Sequence, residues 1–163
     1  MGALLKWLPE MAVGVDEMDQ AHQWFLTELG RLQTIPDLNL GAAITLLTST
    51  MACDFQEEES LMKEIGSPDF HVHCEQHKRV LEAFRDIAPG DHASMREVLA
   101  MMPRWFLFHL TAMDFPLAIA ARAALGECST TPEQTSLRDM PSHSDSKKYV
   151  YRNCGSPATA GPG

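Results

Sequence analysis

Asp54-Phe-Gln-Glu-Glu58 and, beyond Gly66-Ser67-Pro68, His73-Cys-Glu-Gln-His77 decide how this chain is read. Each segment sets two metal-competent side chains four residues apart, first carboxylates and then imidazoles. Residues i and i+4 share a helical face, so each pair can converge on one ion or on two adjacent ions. Carboxylate oxygen combined with imidazole suits iron, manganese or zinc; it does not suit copper(I) or an iron–sulfur cluster.

Both segments lie inside longer apolar stripes. From a cap at Asn39, the second helix carries Leu40, Ile44, Leu47, Met51, Asp54, Glu58, Leu61 and Ile65 in alternating steps of 4 and 3, and Gly66 stops it. Ser67-Pro68 reads as the start of a third helix, whose stripe is Phe70, His73, His77, Val80, Phe84 and Ile87, with Pro89-Gly90 ending it. Upstream, residues 1–15 form an arm, and Asp16 is a cap for a first helix running to about Gln33. His22 falls on its stripe of Met18, Phe25, Leu29 and Leu32. Downstream, Ser94 and Glu97 resemble a capping box for a fourth helix. That helix reads Val98, Met102, Trp105, His109, Ala112, Pro116, Ile119 and Ala123, and it stops at Gly126.

Four long helices joined by short turns predict an all-α fold, an antiparallel up-down-up-down four-helix bundle over residues 1–126. Residues 127–163 change character to Ser, Thr, Pro and Gly and read as a flexible, low-complexity tail.

A single histidine on an apolar stripe is ordinarily a hydrogen-bonded core residue, and an i, i+4 carboxylate pair is ordinarily a solvated face. Here all four stripes are interrupted by ligand-type residues: His22, Asp54, Glu58, His73, His77 and His109. Burying the two carboxylates uncompensated costs several kcal/mol per charge, and a bound cation removes that cost. Asp114 lies five residues after His109, about 140° around a regular helix. Pro116, which clashes with the carbonyl of Ala112, predicts a distortion such as a π-bulge that would turn Asp114 inward.

Composition narrows the remaining classes. A net charge of −9 argues against nucleic acid and anionic membrane surfaces as partners. No apolar run approaches the roughly 20 residues of a membrane span. The opening MGALLKWLPEM is a poor signal peptide, which makes a cytoplasmic protein the expectation. The four cysteines form no CxxC pair and are expected as free thiols in a reducing compartment. His71, His92 and His143 lie off the stripes and read as surface residues, whereas Phe25, Phe55, Trp105 and Phe106 read as core close to the site.

Over about residues 7–125 the chain resembles the hemerythrins, and most closely the single-domain bacterial members. The matching stretches are Trp7 with Val13-Gly-Val-Asp-Glu-Met-Asp-Gln-Ala-His22, then Phe55-Gln-Glu-Glu58-Glu-Ser-Leu-Met62, His73-x3-His77 and Trp105-x3-His109-x4-Asp114. The resemblance implies a four-helix bundle around a non-haem di-iron centre. His73, His77 and His109 would hold one iron. Glu58 and Asp114 would bridge to the second, with an oxo or hydroxo group as third bridge. His22 would hold the second iron, whose open position takes up O2, with NO and peroxide as further candidate ligands. The family places another histidine four residues before the bridging glutamate, and this chain has Asp54 there. It also lacks the glutamine usual just before the first histidine, having Ala21.

The resemblance implies a non-haem O2-binding protein for sensing, delivery or buffering, altered at the O2-binding iron by Asp54. The extra carboxylate moves the site toward the di-iron carboxylate pattern and admits manganese as occupant. The alternatives are an oxidase- or peroxidase-type enzyme and a metal-storage bundle.

Overall fold

The computed structural model describes residues 5–124 and 126. Its elements are a 3-10 turn Pro9–Met11, α1 Asp16–Leu32, α2 Asp37–Glu64, α3 Phe70–Arg85, α4 His92–His109, a π-helical turn Leu110–Asp114, and α5 Phe115–Ala124. The fourth bundle helix is therefore α4, the π turn and α5 in continuous succession, and the described residues contain no strand. α2 packs against α1 and α3, and α4 closes the square against α1 and α3. Short connections between adjacent long helices make the neighbours antiparallel, as expected for this bundle. The expected tail, 127–163, lies outside the described residues.

Several helix starts differ from the sequence expectation. Asp16 does not cap α1; Val15 precedes the helix with no side-chain cap. Asp19, one turn in, instead accepts from the backbone N–H groups of Val13 (2.7 Å) and Gly14 (3.1 Å) and so ties the arm to the helix. α2 begins before Asn39, because Pro36 supplies the extended entry residue (φ −61°, ψ 146°). α3 begins at Phe70, later than Ser67-Pro68 suggests. α4 is capped by Asp91, which accepts from the Ser94 N–H (3.0 Å) and hydroxyl (2.6 Å). Ser94 is thus a donor to the cap.

The bundle has two unlike halves. At one end the last turn of α1 and the first turns of α2 and α4 bury Leu29, Leu32, Leu40, Leu47 and Leu99, none more than 2% exposed. Each such leucine contributes about 1.5–3 kcal/mol relative to exposure. Arg96 of α4 clamps this end, donating to the Leu32 carbonyl (2.7 Å), the Ile35 carbonyl (2.6 Å) and Asp37 (2.7 Å). Helix-terminal carbonyls that lack intrahelical partners are thereby satisfied. The other half carries the polar residues described below.

The buried line of α2 is Leu40, Ile44, Leu47, Met51, Phe55, Glu58 and Met62. Asp54, Leu61 and Ile65 sit beside it, only half-buried. A strict heptad stripe drifts about 20° per heptad on a straight helix, so by its second heptad the predicted stripe had moved to the flank. In α4 the buried line is Met95, Leu99, Met102, Phe106 and His109, one residue away from Val98 and Trp105. Beyond the π turn the frame shifts again: Leu117, Ala118 and Ala121 are buried and Ile119 is 60% exposed. α2 and the span His92–Ala124 are long and apolar enough, by length and composition, to cross a membrane. A bundle helix with an apolar inner face passes the same test, and here those faces carry Glu58, His109 and Asp114. Cys74 is a free thiol, as expected.

Gly14 holds the arm in place. Its φ is +79°, and a Cβ there would meet Arg122 Nη1 at 2.6 Å. That guanidinium donates to the Val13 carbonyl. Gly66 has a similar φ of +64° with nothing within 4 Å of a Cβ. Gly66→Ala is therefore expected to cost about 1 kcal/mol of conformational strain. Gly14→Ala should cost about 1 kcal/mol more, because Arg122 must also leave Val13. Thermal unfolding followed by circular dichroism reads the difference; equal losses would show that the Arg122 contact contributes nothing.

Candidate metal centre

Six buried polar side chains meet in the second half of the bundle. α1 supplies His22, α2 Glu58, α3 His73 and His77, α4 His109, and the π turn Asp114. All are at most 7% exposed, and Asp114 is completely buried. His73 and His77 share a face because they are four residues apart on one helix. His109 and Asp114 share one only because the π turn intervenes, its i→i+5 bonding visible in the Phe115 N–H donating to the Leu110 carbonyl. Pro116 has no N–H and would clash in a regular α turn, which accounts for the distortion at this point.

The donor atoms fall into two overlapping groups, Glu58 with His73, His77 and His109, and His22 with Glu58 and Asp114; within each group they lie within 4.8 Å of one another. The Nε2 atoms of His73 and His77 each lie 3.1 Å from Nε2 of His109. Glu58 Oε2 stands 3.2 Å from His77 Nε2 and 3.5 Å from His73 Nε2. Asp114 faces both groups. Its Oδ1 is 3.3 Å from the Nε2 atoms of His73 and His109, and its Oδ2 is 3.2 Å from that of His22. Two carboxylates thus stand between one histidine-rich position and one position with a single histidine.

These contacts do not satisfy one another. Glu58 Oε2 and both Asp114 oxygens are buried without a hydrogen-bond partner. A proton on His109 Nε2 can serve only one of the two imidazoles facing it, so nitrogen lone pairs otherwise confront each other. A cation resolves the conflict. First-row ions hold imidazole nitrogen at roughly 2.0–2.1 Å, so adjacent donors around an octahedral ion lie ~3 Å apart, as the nitrogens here do. The donor set of nitrogen and hard oxygen fits iron or manganese.

Without a metal, charge within the cluster arranges itself around Asp114. Burial would raise Asp114, but the imidazoles of His109, His22 and His73 hold its carboxyl well below the usual range. Burial and Asp114 also act to raise Glu58; His73 and His77 reverse this and lower it. Burial works against charged His73, yet Asp114 and Glu58 push it up to about 9. His22 is raised in the same way, Asp114 outweighing burial.

Asp54 is not among the grouped donors. It is half-buried beside the cluster, and burial together with the charges of Glu58 and Glu57 pushes it up to about 7, with His22 acting in the opposite sense. The structure therefore brings together His22, Glu58, His73, His77, His109 and Asp114, and it leaves Asp54 at their edge.

One feature was not anticipated from sequence. Glu59 Oε1 lies 3.3 Å from His77 Nδ1, a contact that turns the Nε2 lone pair toward the cluster. Its only sequence signal is a carboxylate adjacent to Glu58, which reads equally as a solvated residue. The aromatic residues also take defined roles. Phe55 stacks on His77 (3.8 Å between centroids, 3° apart), Trp105 stacks on His109 (4.8 Å, 16°), and the Phe106 edge meets His22 (5.4 Å). They fix ring orientation and keep water from the imidazoles.

Two named proteins are similar in sequence. The protein named Bacteriohemerythrin of Ralstonia nicotianae is 26% identical over 115 residues, covering 68% of this chain and 84% of that relative. The protein of the same name from Stenotrophomonas maltophilia is 29% identical over 137 residues, covering 77% of this chain and 86% of that relative. No family model and no solved structure matches the chain. Sequence similarity to these two proteins over most of the bundle and a paired, buried His/Glu/Asp cluster both support a hemerythrin-like di-metal protein.

Proposed function

We propose that the chain is a non-haem di-iron protein that binds O2, with the ligand-binding iron modified by Asp54. The observation that carries this reading is the asymmetry of the cluster. His73, His77 and His109 crowd one position, whereas His22 is the single histidine at the other, which the two carboxylates complete. The less ligated position is the one with room for an exogenous ligand. Two ferrous ions would supply the electrons and the open coordination position that O2 uptake needs.

The protein's part is to hold and shield. Glu58 and Asp114 keep the two positions adjacent, and Glu59 orients His77. Phe55, Trp105 and Phe106 exclude water from the imidazole side. Asp54 sets the field: beside two cations it would be ionised, adding a negative charge where the family pattern has a neutral histidine. A unit charge about 4 Å away is worth about 4 kcal/mol at an effective dielectric of 20, and this favours the more oxidised state of the centre.

The defining experiment is anaerobic loading with ferrous iron followed by O2. The expected result is two irons per chain and a visible band that forms with O2 and reverses on deoxygenation. An immediate, persistent ferric spectrum would overturn reversible binding, and consumption of peroxide with turnover would favour an oxidase or peroxidase instead. Asp54→His is expected to slow oxidation to the ferric state about fivefold or more; even a quarter of the above interaction, about 1 kcal/mol, gives that factor. An unchanged rate would show that Asp54 does not act on the metals.

Metal binding should also release protons. His73, raised to about 9, carries a proton at neutral pH in the metal-free protein, and a metal ion must displace it. Calorimetric titration with Mn2+ at pH 7 in buffers of different ionisation enthalpy should show about one proton or more released per first ion bound. Apparent affinity should rise with pH up to about 9. Affinity that is flat across this range would contradict the charge arrangement described above.

A further inference from the structure

A cavity of about 450 Å3 lies between the start of α1, the second half of α2 and α5. Its lining includes five carboxylates, Asp16, Glu17, Asp54, Glu57 and Glu58. Their exposure is graded: Asp16, Glu17 and Glu57 are exposed, Asp54 is half-buried, and Glu58 is 6% exposed. The basic residue on the wall, Arg122, donates to the Val13 carbonyl and so is directed at the arm's backbone. At the inner end Glu58 offers Oε2, buried and without a hydrogen-bond partner.

A cleft lined by one sign of charge and walled by low-dielectric protein concentrates ions of the opposite sign. Phe55 stacks on His77, Trp105 stacks on His109 and Phe106 lies beside His22. Ring faces offer a small hydrated cation no oxygen ligands. On α2, Asp54, Glu57, Glu58 and Leu61 are spaced at i, i+3, i+4 and i+7, so one helical face presents a ladder of carboxylates toward the cluster.

We propose that this cavity is the route by which divalent cations reach the position formed by His22, Glu58 and Asp114. Glu17 and Glu57 capture the hydrated ion at the mouth, and Asp54 passes it to Glu58. The proposal rests on the di-metal reading, and its test separates the two. Metal-free full-length chain is mixed rapidly with Co2+, and the visible absorption of bound cobalt is followed over a range of NaCl concentrations.

Wild-type protein is expected to load two ions in two phases, the slower one strongly retarded by salt. The double variant Glu17→Gln/Glu57→Gln, altered only at exposed side chains, should still bind two ions with the same final spectrum. Its slower phase should fall about tenfold and lose most of its salt dependence, while the other phase stays unchanged. Glu57→Lys should slow the same phase further. Two ions bound by the double variant with unaltered kinetics and salt dependence would overturn the route and leave the di-metal reading standing. Fewer than two ions in wild-type protein would overturn both.

Discussion

Everything in this structure depends on how His109 Nε2 is placed, 3.1 Å from both His73 Nε2 and His77 Nε2 in a buried core. Three imidazoles cannot satisfy one another in that arrangement, and the two carboxylates beside them leave oxygens unpartnered. Packed groups of this kind are unfavourable unless a cation occupies the centre. A metal bound there would therefore couple binding to folding in the half of the bundle that holds the cluster. The π turn, the aromatic stacking and the Glu59 contact can each be understood as holding six side chains where they conflict without a metal.

The other half makes this tolerable. Leu29, Leu32, Leu40, Leu47 and Leu99 form a dry aliphatic end, and Arg96 fixes the α1–α2 turn onto α4. Burial there offsets polar burial at the far end. The arrangement also explains why long, apolar helices carry the ligands: a helix contributes leucines to one end and a histidine or carboxylate to the other. Seen by composition alone, such helices resemble membrane spans.

Much of this was legible in the sequence because burial and ligation both repeat with the helical period. His22, Glu58, His73, His77 and His109 stand on apolar stripes, and Pro116 two residues beyond Asp114 signalled the π turn that brings Asp114 inward. What failed did so for geometric reasons. A strict heptad stripe was extended too far along α2, so Asp54 was placed in the seam that Phe55 occupies. The stripe in α4 was anchored one residue early, and the π turn shifted the frame beyond it, leaving Ile119 in solvent. Caps were misplaced because Asp19 bonds backward to the Val13 and Gly14 N–H groups and leaves α1 without a side-chain cap, and because Asp91, three residues before Ser94, caps α4 by accepting the Ser94 N–H. Glu59 was invisible because a single carboxylate on a helix flank has no periodic signature.

The position of Asp54 gives its substitution a double meaning. A histidine at position 54 would act on the metals as a neutral ligand. An aspartate at the edge belongs to two surfaces, since its charge acts on Glu58 and His22 on one side and lines the acidic cavity on the other. On the two proposals above, the negative charge that would draw cations inward would also favour the more oxidised state once they had arrived. Loading and redox behaviour would then be tied to one side chain, and improving either by mutation at position 54 would alter the other. A centre that must acquire metal readily tolerates that linkage, whereas a centre selected only for durable O2 carriage would be served better by the neutral imidazole.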